Sequence, residues 1–307
     1  MLTITRTVLV AVTISLAFSS AAIGKEFEEL IGRLTKQFQQ IDSIEYTSRW
    51  RGFYLEEPKG TPPLEKAITF KGRGNEFEFR FEQSGGLEAV PISVHQAYNG
   101  EHYQIDLGGQ LRVTKKLPTY IAALGSHDAF LMPYLFLSLM DPGSEDKTPG
   151  LLVRLRELAK AQTWERVTKN AKGVRFEKNG NRTYMISSFA GMLEQEKAEV
   201  TVWFSLGEGG IPLKWQMRRP SREGKLSQEY EVTDLKEMNV RGQPFYFART
   251  AKWRQYLGKE TPCAEAIVEL SDIVINGPIS DEVFTFEPSA FNNINNLDEN
   301  VIVPVPK

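Results

Sequence analysis

The chain has 307 residues, 41% of them hydrophobic, with 37 lysines and arginines against 39 aspartates and glutamates and a formal charge of −2. That near-neutral balance argues against nucleic-acid binding, which usually demands a basic face. The single cysteine, Cys263, excludes an internal disulfide, so stability must come from burial of a core.

The first residues read as an export signal. Arg6 supplies a positive start, and Val8 to Phe18 is an apolar run shorter than the ~20 residues that span a bilayer. Small residues from Ser20 to Gly24 place cleavage before Lys25; an uncleaved anchor is the alternative. No cysteine stands near that point, so a lipid-modified N-terminus is excluded. The expectation is a signal peptide over 1–24 and a soluble, periplasmic protein whose residues 25–307 form one domain.

Lys25 to Gln40 carries Phe27, Leu30, Ile31, Leu34 and Phe38 at three-to-four spacing, which predicts an amphipathic helix. The period then changes to two. Ile44, Tyr46, Trp50 and Tyr54 fall on one face, and Phe77, Phe79 and Phe81 alternate with charged residues. Such alternation predicts an antiparallel sheet with one dry face. Asn99-Gly100 predicts a two-residue turn between Ile92–Tyr98 and Glu101–Leu107. That register sets His95 opposite Gln104 and makes His95 and His102 diagonal neighbours, ~7–8 Å apart. Two imidazoles need a third ligand to hold a metal, and the spacing supplies none. Exposed strand histidines and no metal are the expectation.

Between about 118 and 161 the alternation stops. The run through Phe130, Leu131, Tyr134, Leu135 and Leu139 has no polar face and predicts apolar helical segments, either filling the core or acting as a lid over an apolar cavity. Leu151 to Ala161 predicts an amphipathic helix. Strands are expected again at Thr163–Lys169, Val174–Lys178, Thr183–Ser188, around Val202 and Trp215, at Ser227–Lys236, around Phe245–Trp253 and at Glu265–Ile275, about a dozen in all. Arg249 stands on an apolar register there. It is expected to meet a carboxylate, to reach the mouth of the cavity, or to be turned outward by a bulge. Cys263 reads as a half-buried strand residue. Val283–Phe286 predicts one more short strand.

No motif of a nucleophile elbow, zinc protease, phosphate loop or dithiol appears. The expectation is a binding protein without cofactor, not an enzyme.

The order of a short helix, the strand ITFKGRGNEFEFRFE, the hairpin AYNGEHYQIDL, GIPLKWQMRR and the closing SDEVFTFEPS resembles the periplasmic lipoprotein carriers of the LolA type and their LolB-like relatives. The resemblance covers roughly 26–110 and 268–290. It implies a mostly β fold, a curved antiparallel sheet or half-open barrel with an N-terminal helix and a helical lid. It implies Phe284 and Phe286 on a last inward-facing strand. Arg73 stands where the family has an interior, lid-latching arginine, although the adjoining proline is missing; Arg249 is the second latch candidate. The implied ligand is a lipid or an acylated lipoprotein, held by Trp50, Phe77, Phe79, Phe81, Phe130, Leu131, Tyr134, Leu135, Leu139, Trp215, Phe284 and Phe286. Implied partners are an inner-membrane transporter or an outer-membrane receptor. Relatives of the same fold act as envelope-stress sensors, which is the second reading; an envelope hydrolase is the third.

Overall fold

The computed structural model describes residues 20–55, 60–86, 91–106, 108–116, 128–134, 158–168, 171–193, 196–219 and 224–305. Helix α1 (Ser20–Gln39) leads into a meander of β1 (Ser43–Tyr54), β2 (Leu64–Arg73), β3 (Glu76–Ser84), β4 (Ile92–Tyr98), β5 (Tyr103–Asp106) and β6 (Gln110–Thr114). After α2 (Ala161–Thr168) a second meander runs through β7 (Ala171–Asn179), β8 (Arg182–Leu193), β9 (Glu196–Ser205), β10 (Pro212–Arg218), β11 (Leu226–Val240), β12 (Gln243–Gln255) and β13 (Ala264–Ile275). Short strands β14 (Asn293–Asn296) and β15 (Val301–Pro304) follow.

Among the described residues, fifteen strands form one sheet, in the order β15-β14-β6-β5-β4-β3-β2-β1-β13-β12-β11-β10-β9-β8-β7. The two meanders join where β1 pairs antiparallel with β13. The sheet is curved and stays open, with β7 and β15 as its edges, so the fold is mostly β and of the half-open barrel class. Among the described residues, no helix is long and apolar enough to cross a membrane.

Helix α1 lies in the concavity. Its spacing puts Phe27, Leu30, Ile31, Leu34 and Phe38 on one stripe, and all five are buried in the main core. Two glycines of the β9–β10 turn let it approach. Gly210 has φ +82, and a Cβ there would stand 2.6 Å from Leu30 Cδ1. Gln37 Nε2 donates to Gly209 O at 2.8 Å while its Oε1 accepts from Tyr246 N at 2.9 Å. The helix is therefore tied to both the β9–β10 turn and β12.

Several expectations change. Thr163–Lys169 is not a strand: α2 covers Ala161–Thr168, and Trp164 is buried with Nε1 donating to Leu158 O at 2.9 Å. The β4–β5 loop has four residues, not two, because Tyr98 pairs with Tyr103 and His95 with Asp106. Asn99 Oδ1 accepts from Glu101 N and His102 N, Gly100 takes φ +90, and the Tyr98 and Tyr103 rings stack 4.4 Å apart. His95 and His102 are consequently not diagonal neighbours. Asp281–Phe284 is a 3-10 turn and not a closing strand. The bare edge at β6 is occupied instead by β14, the one parallel pairing among the described residues. Residues 1–19, most of 118–161, and with them Leu135 and Leu139, lie outside the described residues.

Two outcomes are expected from this architecture. The buried stripe of α1 begins at Phe27, so cleavage before Lys25 leaves it whole; N-terminal sequencing of exported material should begin within a few residues of Lys25, and a retained Arg6 would exclude the cleaved form. Trp50 folds its ring over Gly52 on the same face of β1, where a Cβ would collide with the ring. Gly52→Ala should destabilise the protein by about 1–3 kcal/mol through overpacking, read as a lower denaturation midpoint.

Candidate functional site

The concave face is built by cross-strand rows. Tyr46, Phe70, Phe79, Gln96 and Ile105 stand opposite one another across β1 to β5, and Ser48, Ile68, Phe81 and Val94 form the next row. From the other meander, Val200, Val202, Phe204, Leu213, Trp215 and Phe245 are buried on the same side. Period-two alternation over long strands turns every second side chain inward, and here those residues are aromatic or β-branched.

Residues 128–134 pass through this concavity as a turn and one 3-10 turn at Met132–Tyr134. Asp128 is completely buried. One carboxylate oxygen accepts from Tyr46 Oη at 2.9 Å, and the other from Phe130 N at 2.8 Å and Leu131 N at 3.2 Å. Ala129 N donates to Ser48 Oγ at 2.7 Å, and Trp215 Nε1 donates to Met132 O at 3.1 Å. Burial, then the charge and hydrogen bond of Asp128, push the Tyr46 hydroxyl well above its ordinary value.

Phe130 lies between two rings, nearly parallel to Tyr46 at 5.2 Å and to Phe245 at 6.2 Å, with Phe38 edge-on at 6.4 Å. Tyr134 is edge-on to Phe38 and to Trp164, and burial pushes its hydroxyl up. Leu131 is buried beside them. Of the predicted apolar contacts, Trp50, Phe77, Phe79, Phe81, Phe130, Leu131, Tyr134 and Trp215 thus share the main core.

Further along β1 and β2, Trp50 stands 6.2 Å from Trp253 and opposite Lys66, whose Nζ lies 5.0 Å over the Trp50 ring. Burial lowers the Lys66 ammonium to about 8.

The remaining candidates are on the outer face. Phe284 is fully buried, but under Arg73, whose guanidinium lies 5.1 Å over its ring. Arg73 also donates to Ile279 O, Glu76 and Asp281. Phe286 packs with Ala97, Leu111 and Phe291 in a second, separate cluster, its ring 4.4 Å from His95 and its N–H donating to Gln104 Oε1 at 2.7 Å. Residues 279–291 therefore form a strap outside the sheet. The inward placement of Phe284 and Phe286 is corrected, and Arg73 latches this strap and not a lid. Arg249 takes the outward alternative and not the cavity mouth: register shifts at Val232–Leu235 turn it outward, half exposed, 3.7 Å from the Asp234 carboxylate.

Two buried carboxylates organise the outer surface. Burial would raise Glu78, but hydrogen bonds with His95 and Arg80 outweigh it and hold it below the usual range. Burial likewise opposes, and Gln216, Lys214 and Arg254 overcome it, at Glu229. Cys263 is buried, its Sγ 3.3 Å from Gln255 O. Among the described residues, no three potential metal ligands come together. A depression of about 790 Å³ over Ala67 is rimmed by Arg49, Arg51, Glu65, Glu82 and Glu269. Its charges have both signs, and Arg51 is already 3.3 Å from Glu65, so it offers no single recognition chemistry.

Sequence reasoning missed Asp128, Ser48, Lys66 and Gln96. A signal existed for Asp128, the one acid between Pro118 and Met140. The other three required the register.

No protein-family model and no curated protein matches the sequence. Among solved structures, the chain is similar to a DUF1329 family protein from Desulfovibrio piger, with TM-score 0.48, 9% identity and coverage of 85% of this chain and 96% of that one. It is similar to the LolA superfamily protein NE2245 from Nitrosomonas europaea, with TM-score 0.42, 12% identity and coverage of 84% and 97%. A third is the lipoprotein LppX from Mycobacterium tuberculosis, with TM-score 0.30, 9% identity and coverage of 85% and 99%. The fold class rests on this chain's own strand order.

Lys66 yields a pH test. Its folded value lies below the unfolded one, so the folded state resists protonation. The destabilisation is fully present below about pH 8 and relieved as pH rises towards about 10.4. Lys66→Met should therefore raise the melting temperature more at pH 7 than at pH 10. An equal gain at both would show that the ammonium carries no such cost.

Proposed function

We propose that the chain is an exported carrier that binds the acyl part of a lipid or of an acylated protein on its concave face, without catalysing a reaction. The observation that carries this reading is the seat of Phe130. A slot between Tyr46 and Phe245, apolar and one ring wide, is filled by Phe130 from a turn and not from an α-helix or a strand. An acyl chain gains about 0.8 kcal/mol for each buried CH₂, so it can replace the segment without any special polar group. When residues 128–134 leave, the Asp128 carboxylate returns to water, which offsets part of the loss of packing. The segment is thus held in place by contacts that its own release partly compensates. The periplasmic location, the acylated-protein cargo and a membrane transporter or receptor as partner belong to the same proposal.

A covalent lock tests it. Ser48 Oγ and Ala129 N are in hydrogen-bond contact, so the double variant Ser48→Cys, Ala129→Cys should cross-link the segment to β1 on oxidation. The oxidised form should lose binding of a fluorescent fatty acid by tenfold or more, and reduction of the same sample should restore it. Native mass spectrometry of wild-type protein purified without detergent should show bound lipid. Equal binding by the locked and reduced forms would sink the reading that this segment yields to the ligand.

A further inference from the structure

Gln96 is completely buried on the concave face, between Phe79 of β3 and Ile105 of β5. Neither its Nε2 nor its Oε1 has a hydrogen-bond partner, and among the described residues it is the one side chain with two such orphaned atoms. Exchanging the amide nitrogen and oxygen changes nothing, because both ends are orphaned. A buried amide without partners is costly, whereas an apolar side chain of the same size would be nearly neutral there. Neighbouring side chains in its row are hydrocarbon rings or branches and cannot satisfy it. Only at the Tyr46 end of that row is there a polar group, and that hydroxyl is committed to Asp128.

Resting on the acyl-binding reading above, we propose that Gln96 is the side chain that recognises the polar end of the ligand. The carboxamide presents two donors and one acceptor within a single plane. Its complement is an acyl compound with a hydroxyl donor beside a carbonyl acceptor. A protonated fatty acid satisfies both ends through its carboxyl group, and a monoacylglycerol does so through its ester carbonyl and a glycerol hydroxyl. A simple alkyl ester satisfies only the donor end. Bare hydrocarbon satisfies neither. The acyl chain then runs along the row from Phe79 and Phe70 towards Tyr46, the direction in which Phe130 is seated.

Fluorescence of Trp50, Trp215 and Trp253, which are on the same face, reports the titration. The probes are palmitic acid, 1-monopalmitoylglycerol and methyl palmitate. Wild-type protein should bind at least one of the first two about tenfold more tightly than the methyl ester, the size of one additional buried hydrogen bond. In Gln96→Met or Gln96→Leu that ratio should fall towards one, and the ligand-free melting temperature should rise. If palmitic acid alone is preferred, the donor is a carboxyl group; if the glyceride is preferred, it is a hydroxyl. Equal affinity of wild type for all three, or a ratio that persists in the variants, overturns the role of Gln96 and leaves acyl binding standing. No binding of any palmitoyl compound overturns both. Equal affinity of the wild type for the three probes overturns the role of Gln96 whether or not a variant folds.

Discussion

Everything in this molecule follows from one requirement: a fifteen-stranded sheet has an apolar face that must be kept from water. One helix of twenty residues cannot cover it, however well its stripe is formed. Helix α1 takes the half facing β9, β10 and β12, where Gly209 and Gly210 admit it. The part between β1 on one side and β10 and β11 on the other is covered by residues 128–134, which bring with them a buried carboxylate and two buried backbone groups that need partners. Tyr46, Ser48 and Trp215 supply those partners. A covering built from main-chain hydrogen bonds and one wedged ring is specific in position yet carries little secondary structure to stabilise it locally. That combination is what the proposed release of the segment would rest on.

The outer face obeys a different rule. Its polar residues are not left to water. Glu78 and Glu229 are nearly buried and serve as hubs, Glu78 for Arg80 of its own strand and His95 of β4, Glu229 for Gln216 and Lys214 of β10 and Arg254 of β12. Exposed single pairs add little, but hubs with several donors fix the strands relative to one another. Both carboxyls titrate below the usual range, so their contribution is present above the unfolded carboxylate value and disappears as pH falls through the folded one. The strap over 279–291 extends this logic, with Arg73 binding Ile279, Glu76, Asp281 and the face of Phe284 at once.

How far the sequence foretells this depends on the range of the interaction. Helix α1 and the faces of β1, β3, β9 and β10 are visible because local periodicity and burial agree over many residues. The errors arise where one residue shifts the count. A register shift near Asp234 turns Arg249 outward although its letters alternate inward. Asn99 accepts two backbone hydrogen bonds and lengthens a turn that Asn-Gly makes look like two residues. Phe284 and Phe286 carry a strand's alternation, but Pro278 and Pro288 bracket them too closely and β14 already holds the edge they would need. Aromatic alternation signals burial without saying on which face. Gln96 shows the complementary limit: in sequence it is an ordinary strand glutamine, and only its inward register and its lack of partners give it meaning.

An open sheet also has to protect two edges from other strands. On β7 the protection is charge, with Lys172, Arg175, Glu177 and Lys178 on a strand that is largely exposed. On β15 the residues are apolar, Val301, Ile302 and Val303 all being about half exposed. Val305 N donates to Asn292 O, so strand alternation directs Val303 towards β14 and leaves Ile302 and Pro304 on the free side. Proline has no N–H to offer there. The outer edge of β15 is reduced to a single complete donor and acceptor pair, too little to seed an added strand. The fold can therefore remain open without closing into a barrel, and an open concavity is what exchange of a large, flexible, apolar ligand requires.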